Sequence, residues 1–324
     1  VQQPKGRRVD ISVICPVLNA DPATLRLAIA SVLAQDAAGR IEIILVDDGS
    51  QQATALTCLA LQADRVRVVR RPRTGGPASA RNSGIAAAQG SWIGFLDADD
   101  LWRAGRITAA RALMAQPDIA WIAGRHSLLL PQGAQPAPWV MDQPDAATQG
   151  GLTRLLLGNF WLHLGTMLVR RELVQRLGGF AEGLRYYEDW LFAARLSTQA
   201  RLHPLAHETY TWRRAGGGLT ASPARLLPAS LAMFDIAARD PLLRDFRREI
   251  RWARYAALKG LALNNLLAGR RGTALALALR AWRTDPRELG DLLAFLRLSR
   301  ATPAQARHQG RRYSQAEIFV TGDA

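Results

Sequence analysis

The chain has 324 residues, enough for two domains or one large domain with an appendage. Apolar residues make up 48%, which supplies a core and excludes a disordered chain; the most apolar long stretch, 152–169, is broken by Arg154, Asn159 and His163, so no membrane-spanning helix is expected. Basic side chains outnumber acidic ones by 42 to 27, and residues 201–324 alone hold 21 basic and 10 acidic, an imbalance that fits either an anionic partner or a plain arginine-rich composition.

Ile11–Val17 (ISVICPV) is an apolar, β-branched run and predicts a buried strand. Asp21-Pro22 then opens a helix over Ala23–Gln35, with Leu25, Ile29, Val32 and Leu33 on one face. Ile41–Val46 is a second buried strand ending in Asp47-Asp48-Gly49-Ser50, and a helix follows. Val66–Val69 is a third strand, Thr74-Gly75-Gly76-Pro77 a loop, and Ala78–Gln89 a helix closed by Gly90. Ser91–Leu96 is a fourth strand, ending in Asp97-Ala98-Asp99-Asp100. Apolar strands separated by helices call for a parallel sheet covered on both faces, a doubly wound α/β domain.

Residues 101–220 are less regular. They predict a helix at Arg103–Met114, a strand at Ile119–Gly124 and a Pro/Gln-rich loop at Pro131–Gln149. From Pro223 the pattern becomes helix after helix, including Arg251–Leu267 and Thr273–Arg283. We therefore divide the chain into a domain over 1–221 and a basic helical C-terminal region over 222–324. Cys15 and Cys58 lie in apolar runs and read as buried, reduced thiols, and residues 1–10 hold no apolar stretch of the secretory kind. The expected location is cytoplasmic.

Open parallel sheets bind ligands at the carboxyl ends of their strands. That rule selects Pro16, Leu18 and Asn19 after the first strand, Asp47 and Asp48 after the second, and Asp97, Asp99 and Asp100 after the fourth. So many carboxylates on one rim call for a cation, and a hard ion such as Mg²⁺ or Mn²⁺ shared with substrate phosphates suits them. Arg81 opens the helix after the third strand, where its planar fork can meet a phosphate. Taken singly, each piece has a plain structural reading: Asp47–Ser50 as turn and cap, Arg81 as a surface residue. Their joint placement on one rim favours a nucleotide diphosphate.

The ordered segments ISVICPVLN, IEIILVDDGS, GGPASARNSGIAAAQGSWIGFLDADD and LGGFAEGLRYYEDW resemble the family-2 inverting glycosyltransferases of the GT-A fold, over about residues 9–220. The resemblance implies a Rossmann-like, mostly parallel sheet, with a nucleotide-binding half over about 9–100 and an acceptor half over about 101–221. It assigns Pro16 and Leu18 to the base pocket, Asp48 to the ring N–H of the base and Arg81 to the nucleotide. It places Asp97 on the ribose or the metal-bound diphosphate, and Asp99, with Asp97, on a Mn²⁺ or Mg²⁺ ion. Asp189 becomes the catalytic base, with Glu188 beside it to orient the acceptor or raise its pKa; without the upstream motifs the pair reads as an acidic first turn of a helix. Two departures stand out. Leu18 occupies a place that is often aromatic, and YTWRRAGGGLT offers Arg213 and Arg214 where many members carry a metal-binding histidine.

The implied reaction moves one sugar from a nucleotide-diphosphate sugar, UDP-sugar favoured, to a glycan or lipid-linked acceptor. Arg244, Arg247, Arg248, Arg251 and Arg254 fall three or four apart and suggest peripheral contact with an anionic membrane. Trp252, Tyr255, Leu258 and Leu261 form a separate apolar stripe. A solvated basic face or a dimer interface fits the arginines equally well. Trp102, Trp161, Trp190 and Trp212 are either sugar platforms or core. Two rival readings are a nucleotidyltransferase, which would need a Gly-rich loop where Pro16–Asn19 stand, and a basic nucleic-acid-binding protein. The basic region lacks the aromatics of a known RNA-binding motif, so no nucleic acid is expected.

Overall fold

The strands in chain order are β1 (Ile11–Val17), β2 (Ile41–Asp47), β3 (Val66–Arg70), β4 (Trp92–Phe95), β5 (Leu101–Trp102), β6 (Trp121–Leu130), β7 (Gly133–Pro136), β8 (Met167–Arg170) and β9 (Leu202–Arg213). The helices are α1 (Pro22–Leu33), α2 (Gln52–Ala60), α3 (Gly76–Ala87), α4 (Arg106–Met114), α5 (Gly151–Gly158), α6 (Arg171–Arg176), α7 (Glu188–Ser197), α8 (Pro223–Ala237), α9 (Arg247–Leu267), α10 (Arg271–Thr284) and α11 (Leu289–Ser299). The computed structural model describes residues 9–35, 40–130, 133–158, 160–213 and 223–299. The chain divides into two compact units, one from residues 1–147 and 162–218, the other from 148–161 and 219–324.

The first unit holds the sheet, in the order β3-β2-β1-β4-β8-β6-β9-β5, with β7 paired to β6. β1, β2, β3 and β4 run parallel, as apolar strands joined by helices require. β8 is antiparallel to β4 and to β6, and β5 is antiparallel to β9, so beyond β4 the α/β fold carries a mixed sheet. The helix ends follow local chemistry. Asp21 caps α1 by accepting the N–H of Thr24 at 2.8 Å, and Pro22 stands at the first turn. Gly84 lets α3 lie close on the sheet, because a Cβ there would meet Ile14 Cγ2 at 2.5 Å. α4 starts three residues later than expected, after Gly105 takes a left-handed φ of 78°. The expected loop at 131–149 contains β7 and two short 3₁₀ turns among its described residues.

One core of this unit gathers Ile11, Val13, Cys15, Leu25, Ile43, Leu45, Trp92 and Trp102. Cys15 and Cys58 are buried free thiols. Trp102 fills the space over Gly94 and donates its indole N–H to the carbonyl of Phe95 at 2.9 Å. Arg106 is buried and forms no ion pair among the described residues: its guanidinium stacks 3.9 Å from the Trp102 ring and donates to the carbonyls of Gly165 and Met167. These bonds fix the turn that leads into β8.

The second unit is helical. α9 and α10 pack through Ala262, Leu263, Leu266, Ala274 and Ala278, with Phe295 of α11 closing the cluster. Tyr255 and Leu258 are buried, whereas Trp252 is 41% exposed and lies outside the apolar stripe expected for it. The reason is angular: the buried face of α9 runs through Ile250, Ala253 and Ala257, and Trp252 sits one residue off it. Arg244, Arg247, Arg248 and Arg251 are exposed, and Arg254 pairs with Asp235 at 2.9 Å. No described helix is long and apolar enough to cross a membrane.

Candidate active site

The order β2-β1-β4 places β1 between its two parallel neighbours, so the carboxyl ends of these strands share one rim. At the end of β1, Asn19 takes φ 50°; its main-chain N–H donates to Ser50 Oγ at 3.0 Å, and its side-chain oxygen accepts the N–H of Gln51 at 2.7 Å. These bonds tie the segment holding Pro16 and Leu18 to the Asp47–Ser50 turn, with Leu18 48% exposed. Asp47 is buried and caps that turn through the N–H of Ser50 at 2.8 Å. Asp48 is buried too. Its carboxylate accepts from Gly75 and Gly76 at 2.9–3.1 Å and pairs with Arg71 at 3.2 Å, which seats the glycine loop against the rim.

Arg81, on α3, is buried and forks between two carboxylates. Nη2 reaches Asp97 Oδ1 at 2.9 Å and Nη1 reaches Glu188 Oε1 at 2.6 Å. Next along α3, Asn82 holds the main chain of Phe180 from both sides, donating to its carbonyl at 2.9 Å and accepting its N–H at 2.8 Å. Gly178 and Gly179 have φ of 72° and 69°, and a Cβ on Gly179 would strike Asn82 Oδ1 at 2.4 Å, so the turn before Phe180 needs glycine. Glu182 accepts from Ser79 at 2.8 Å and from Asn82 at 3.0 Å. Helix α3 thus positions the segment that delivers Glu188 and Asp189 to the first turn of α7.

Burial and the neighbouring Asp189 push the Glu188 carboxyl up to about 6, against the opposing pull of Arg81. Asp189 is less buried than Glu188, and one of its oxygens accepts the N–H of Trp190 at 2.8 Å. Two acidic groups at a helix amino terminus sit where the backbone dipole favours negative charge.

Two sets of donors lie near a possible cation. Asp97, Asp100 and His163 each offer a ligand atom within 4.8 Å of the others. Hydrogen bonds already occupy that set. Asp100 is 1% exposed and accepts from the Tyr210 hydroxyl and the Arg213 N–H, both at 2.8 Å. His163 Nδ1 accepts the N–H of Gly165 at 3.0 Å, so the ring proton belongs on Nε2, which faces Asp100 at 3.9 Å as a donor and not as a lone pair. Burial and the nearby His126 hold His163 neutral. Asp97 and Asp99 are the accessible pair: the Asp97 side chain is 36% exposed and Asp99 is exposed. Although Asp99 as a whole is exposed, the atoms packed around its carboxyl desolvate it, and with the charge of Asp97 they raise its pKa, the electrostatic condition a cation relieves. Asp97 and Asp99 therefore fit a hard, oxygen-bound divalent ion, and Asp100 with His163 forms the polar wall behind them.

Residues 12–177 match the profile of glycosyl transferase family 2. The chain belongs to that family. A Sinorhizobium fredii protein, y4gI, is 34% identical over 221 residues, covering 65% of this chain and 23% of that protein. The O-antigen biosynthesis protein RfbC of Myxococcus xanthus is 32% identical over 226 residues, covering 68% and 17%. The chain thus spans less than a quarter of the length of either relative. The UDP-Glc:alpha-D-GlcNAc-diphosphoundecaprenol beta-1,3-glucosyltransferase WfgD of Escherichia coli is 31% identical over 119 residues, 37% of this chain and 46% of WfgD. Among solved structures, S. aureus TarS 1–349 in complex with UDP-GlcNAc superposes with a TM-score of 0.65 at 18% identity, covering 95% of this chain and 91% of that one. A mannosyltransferase of Pyrobaculum calidifontis in complex with GDP-Man and Mn²⁺ gives 0.52 at 20% identity, covering 95% and 86%. These two likenesses concern the fold.

The site residues expected from the sequence fall into two groups. Arg81, Asp97 and Glu188 are joined by direct contacts, with Asp99 and Asp189 adjoining them. Pro16, Leu18 and Asp48 lie at the ends of the neighbouring strands and are linked to that group through loop hydrogen bonds. Arg213 lies beside Asp99 and Asp100, bonding the Asp99 carbonyl through its side chain; Arg214 lies outside the described residues. Trp102 and Trp190 are core residues, 3% and 6% exposed, and not open platforms for a sugar ring. The sequence reading missed Asn82, His163 and Tyr210. Each acts through a partner far along the chain, and only Asn82, next to Arg81 in the quoted third motif, carried a local signal.

Proposed function

We propose that the chain transfers a single sugar from a nucleotide-diphosphate sugar, UDP-sugar favoured, to a hydroxyl of a glycan or lipid-linked acceptor, with inversion at the anomeric carbon. The observation that carries this reading is the Arg81 fork, because one buried guanidinium joins a donor-side carboxylate, Asp97, to the Glu188-Asp189 pair. The UDP-GlcNAc bound to TarS and the diphosphoundecaprenol acceptor in the name of WfgD support the donor and acceptor classes.

The nucleotide-binding half is residues 9–100 and the acceptor half 101–221, with 222–324 as a basic appendage. Pro16 and Leu18 line the base. Asp48 receives the ring N–H of the base by exchanging one of its bonds to Gly75 or Gly76. Asp97 and Asp99 would hold Mn²⁺ or Mg²⁺, which would supply Lewis-acid stabilisation of the leaving diphosphate. Arg81 keeps Asp97 and Glu188 at fixed separation. Asp189 takes the proton of the acceptor hydroxyl as that oxygen attacks; a carboxylate is a sufficient base when bond formation is advanced. Glu188, held by Arg81, keeps the first turn of α7 in register.

The exposed arginines of α9, with Trp252 among them, form a surface for an anionic membrane at the cytoplasmic face, where a lipid-linked acceptor would be presented. The test of the central reading is a screen of UDP-, GDP- and dTDP-sugars by thermal shift with and without Mn²⁺, followed by NMR of the product anomer. Stabilisation by a UDP-sugar and an inverted product are expected. Retention of configuration, or no response to any donor, overturns it.

A further inference from the structure

The candidate active site lies at the carboxyl ends of the parallel strands. A cavity of about 810 Å³ opens at the opposite, amino ends of the strands, where β1 and β4 begin. Its walls come from Asp10 and Ile11, from Ser91 and Trp92, from the last turn of α4, and from the junction of β8 with α6. Five arginines reach it: Arg40, Arg111, Arg170, Arg171 and Arg176. Two carboxylates share the walls, Asp10 and Glu172, and Asp10 is already paired with Arg40.

The inner arginines are fixed without carboxylates. Arg170 lies 4.6 Å from the Trp92 ring and donates to the carbonyls of Ile119 at 3.0 Å and Gln116 at 2.8 Å. Arg171 donates to the carbonyl of Ala88 at 3.3 Å, and its Nε is buried with no hydrogen-bond acceptor. Neither forms an ion pair among the described residues, nor does Arg176, which stands exposed at the end of α6. Arginine stays charged at any working pH, so Arg170, Arg171 and Arg176 repel one another across the cavity unless an anion enters. Main-chain carbonyls orient a guanidinium but do not neutralise it.

We infer that this cavity is a second anion site, separate from the donor rim, and that it takes a ligand of the diphosphate class. The fixed guanidinium groups of Arg170 and Arg171 form its floor, and Arg111 and Arg176 form its entrance. The planar forks suit oxyanions with several acceptor oxygens, and the cavity is large enough for a diphosphate with an organic substituent. Because it opens at the opposite ends of β1 and β4, it can be filled while the donor rim is occupied.

Inorganic pyrophosphate is the probe, titrated calorimetrically into the whole chain in EDTA so that no metal-bound diphosphate forms at Asp97 and Asp99. The comparison is between the wild type, an Arg111→Ala/Arg176→Ala double variant and Asp99→Asn. Both replaced arginines are exposed, and an unchanged melting temperature without ligand checks that the fold persists. Binding that falls with added salt, weakens about tenfold or more in the arginine variant and persists in Asp99→Asn is the expected result. Absence of binding, equal binding in the arginine variant, or loss in Asp99→Asn overturns the inference. None of these outcomes depends on the sugar-transfer reading, since no turnover is measured.

Discussion

Arg81 and Glu188, 107 residues apart in sequence, form a 2.6 Å ion pair with both side chains buried. The same guanidinium holds Asp97, so one side chain sets the distance between the two acidic elements of the site. A buried pair of this kind is costly to break, because the surviving partner keeps its charge without compensation. Arg81→Ala should destabilise the fold by about 3–5 kcal/mol, read from urea unfolding. Arg81→Lys, with a point charge in place of a fork, cannot serve both carboxylates. It should keep most of the stability and lose turnover. Equal turnover in the lysine variant would show that the fork does not position the site.

Glu188 also sets a pH signature. Its carboxyl ordinarily titrates near 4.5 and is pushed up to about 6 in the folded chain. The folded state therefore binds the proton more tightly than the unfolded state. The resulting stabilisation is complete below about 4.5 and is lost as pH rises through about 6. Glu188→Gln stays neutral throughout, so the stability of the wild type relative to this variant should fall by up to about 2 kcal/mol across that window. Denaturant unfolding at several pH values measures it, and a difference independent of pH would locate the titration elsewhere.

Asp189→Asn keeps the shape of the side chain and removes its basicity. If Asp189 accepts the proton of the acceptor, turnover should drop by roughly 10²–10⁴ while donor affinity stays level. Calorimetry of UDP binding beside a UDP-release assay separates the two effects. Near-normal turnover would move the role to Glu188.

The adjacent residues Asp99 and Asp100 should respond in opposite ways. Asp99 is exposed, so Asp99→Ala should abolish Mn²⁺-dependent nucleotide binding and leave the melting temperature near that of the wild type. Asp100 is buried, with Tyr210 and Arg213 bonded to it. Asp100→Ala strands those donors and should lower stability by about 1–3 kcal/mol. Metal dependence that survives Asp99→Ala and vanishes in a folded Asp100→Asn would favour the Asp97, Asp100 and His163 set.

What could be read in advance divides along a physical line. β1, β2 and β4 are apolar runs and β3 is a short β-branched one, signals that act locally, and the structure places all four within two residues of the expected bounds. Beyond β4 only β6 gave such a signal, its first residues falling in the strand expected at Ile119–Gly124. β8 is four residues long, β5 is two, and β9 mixes His, Pro and Glu into its alternation, so only their partners make them strands. The site behaves likewise. Asp97, Asp99 and Glu188-Asp189 follow from motifs and strand ends. The Asp100–Tyr210 bond joins residues 110 apart, and His163 reaches Asp100 because Arg106 holds the carbonyls of Gly165 and Met167. No local spacing encodes such contacts.

The basic helical region carries the last prediction. Arg244, Arg247, Arg248 and Arg251 are exposed, and Trp252, 41% exposed, lies among them. An exposed indole beside guanidinium groups suits the headgroup region, where the ring enters the interface and the charges meet anionic lipid. Each basic residue near such a surface adds about 1 kcal/mol, so four give a reversible, salt-sensitive attachment. Sedimentation with vesicles of phosphatidylglycerol and phosphatidylcholine, against phosphatidylcholine alone, reads this directly. The wild type should pellet with the anionic vesicles and be released by salt. Arg248→Glu with Arg251→Glu should stay in the supernatant, and Trp252→Ala should weaken binding without changing its salt dependence. Equal pelleting with both vesicle types, or none with either, would leave these arginines as a solvated face.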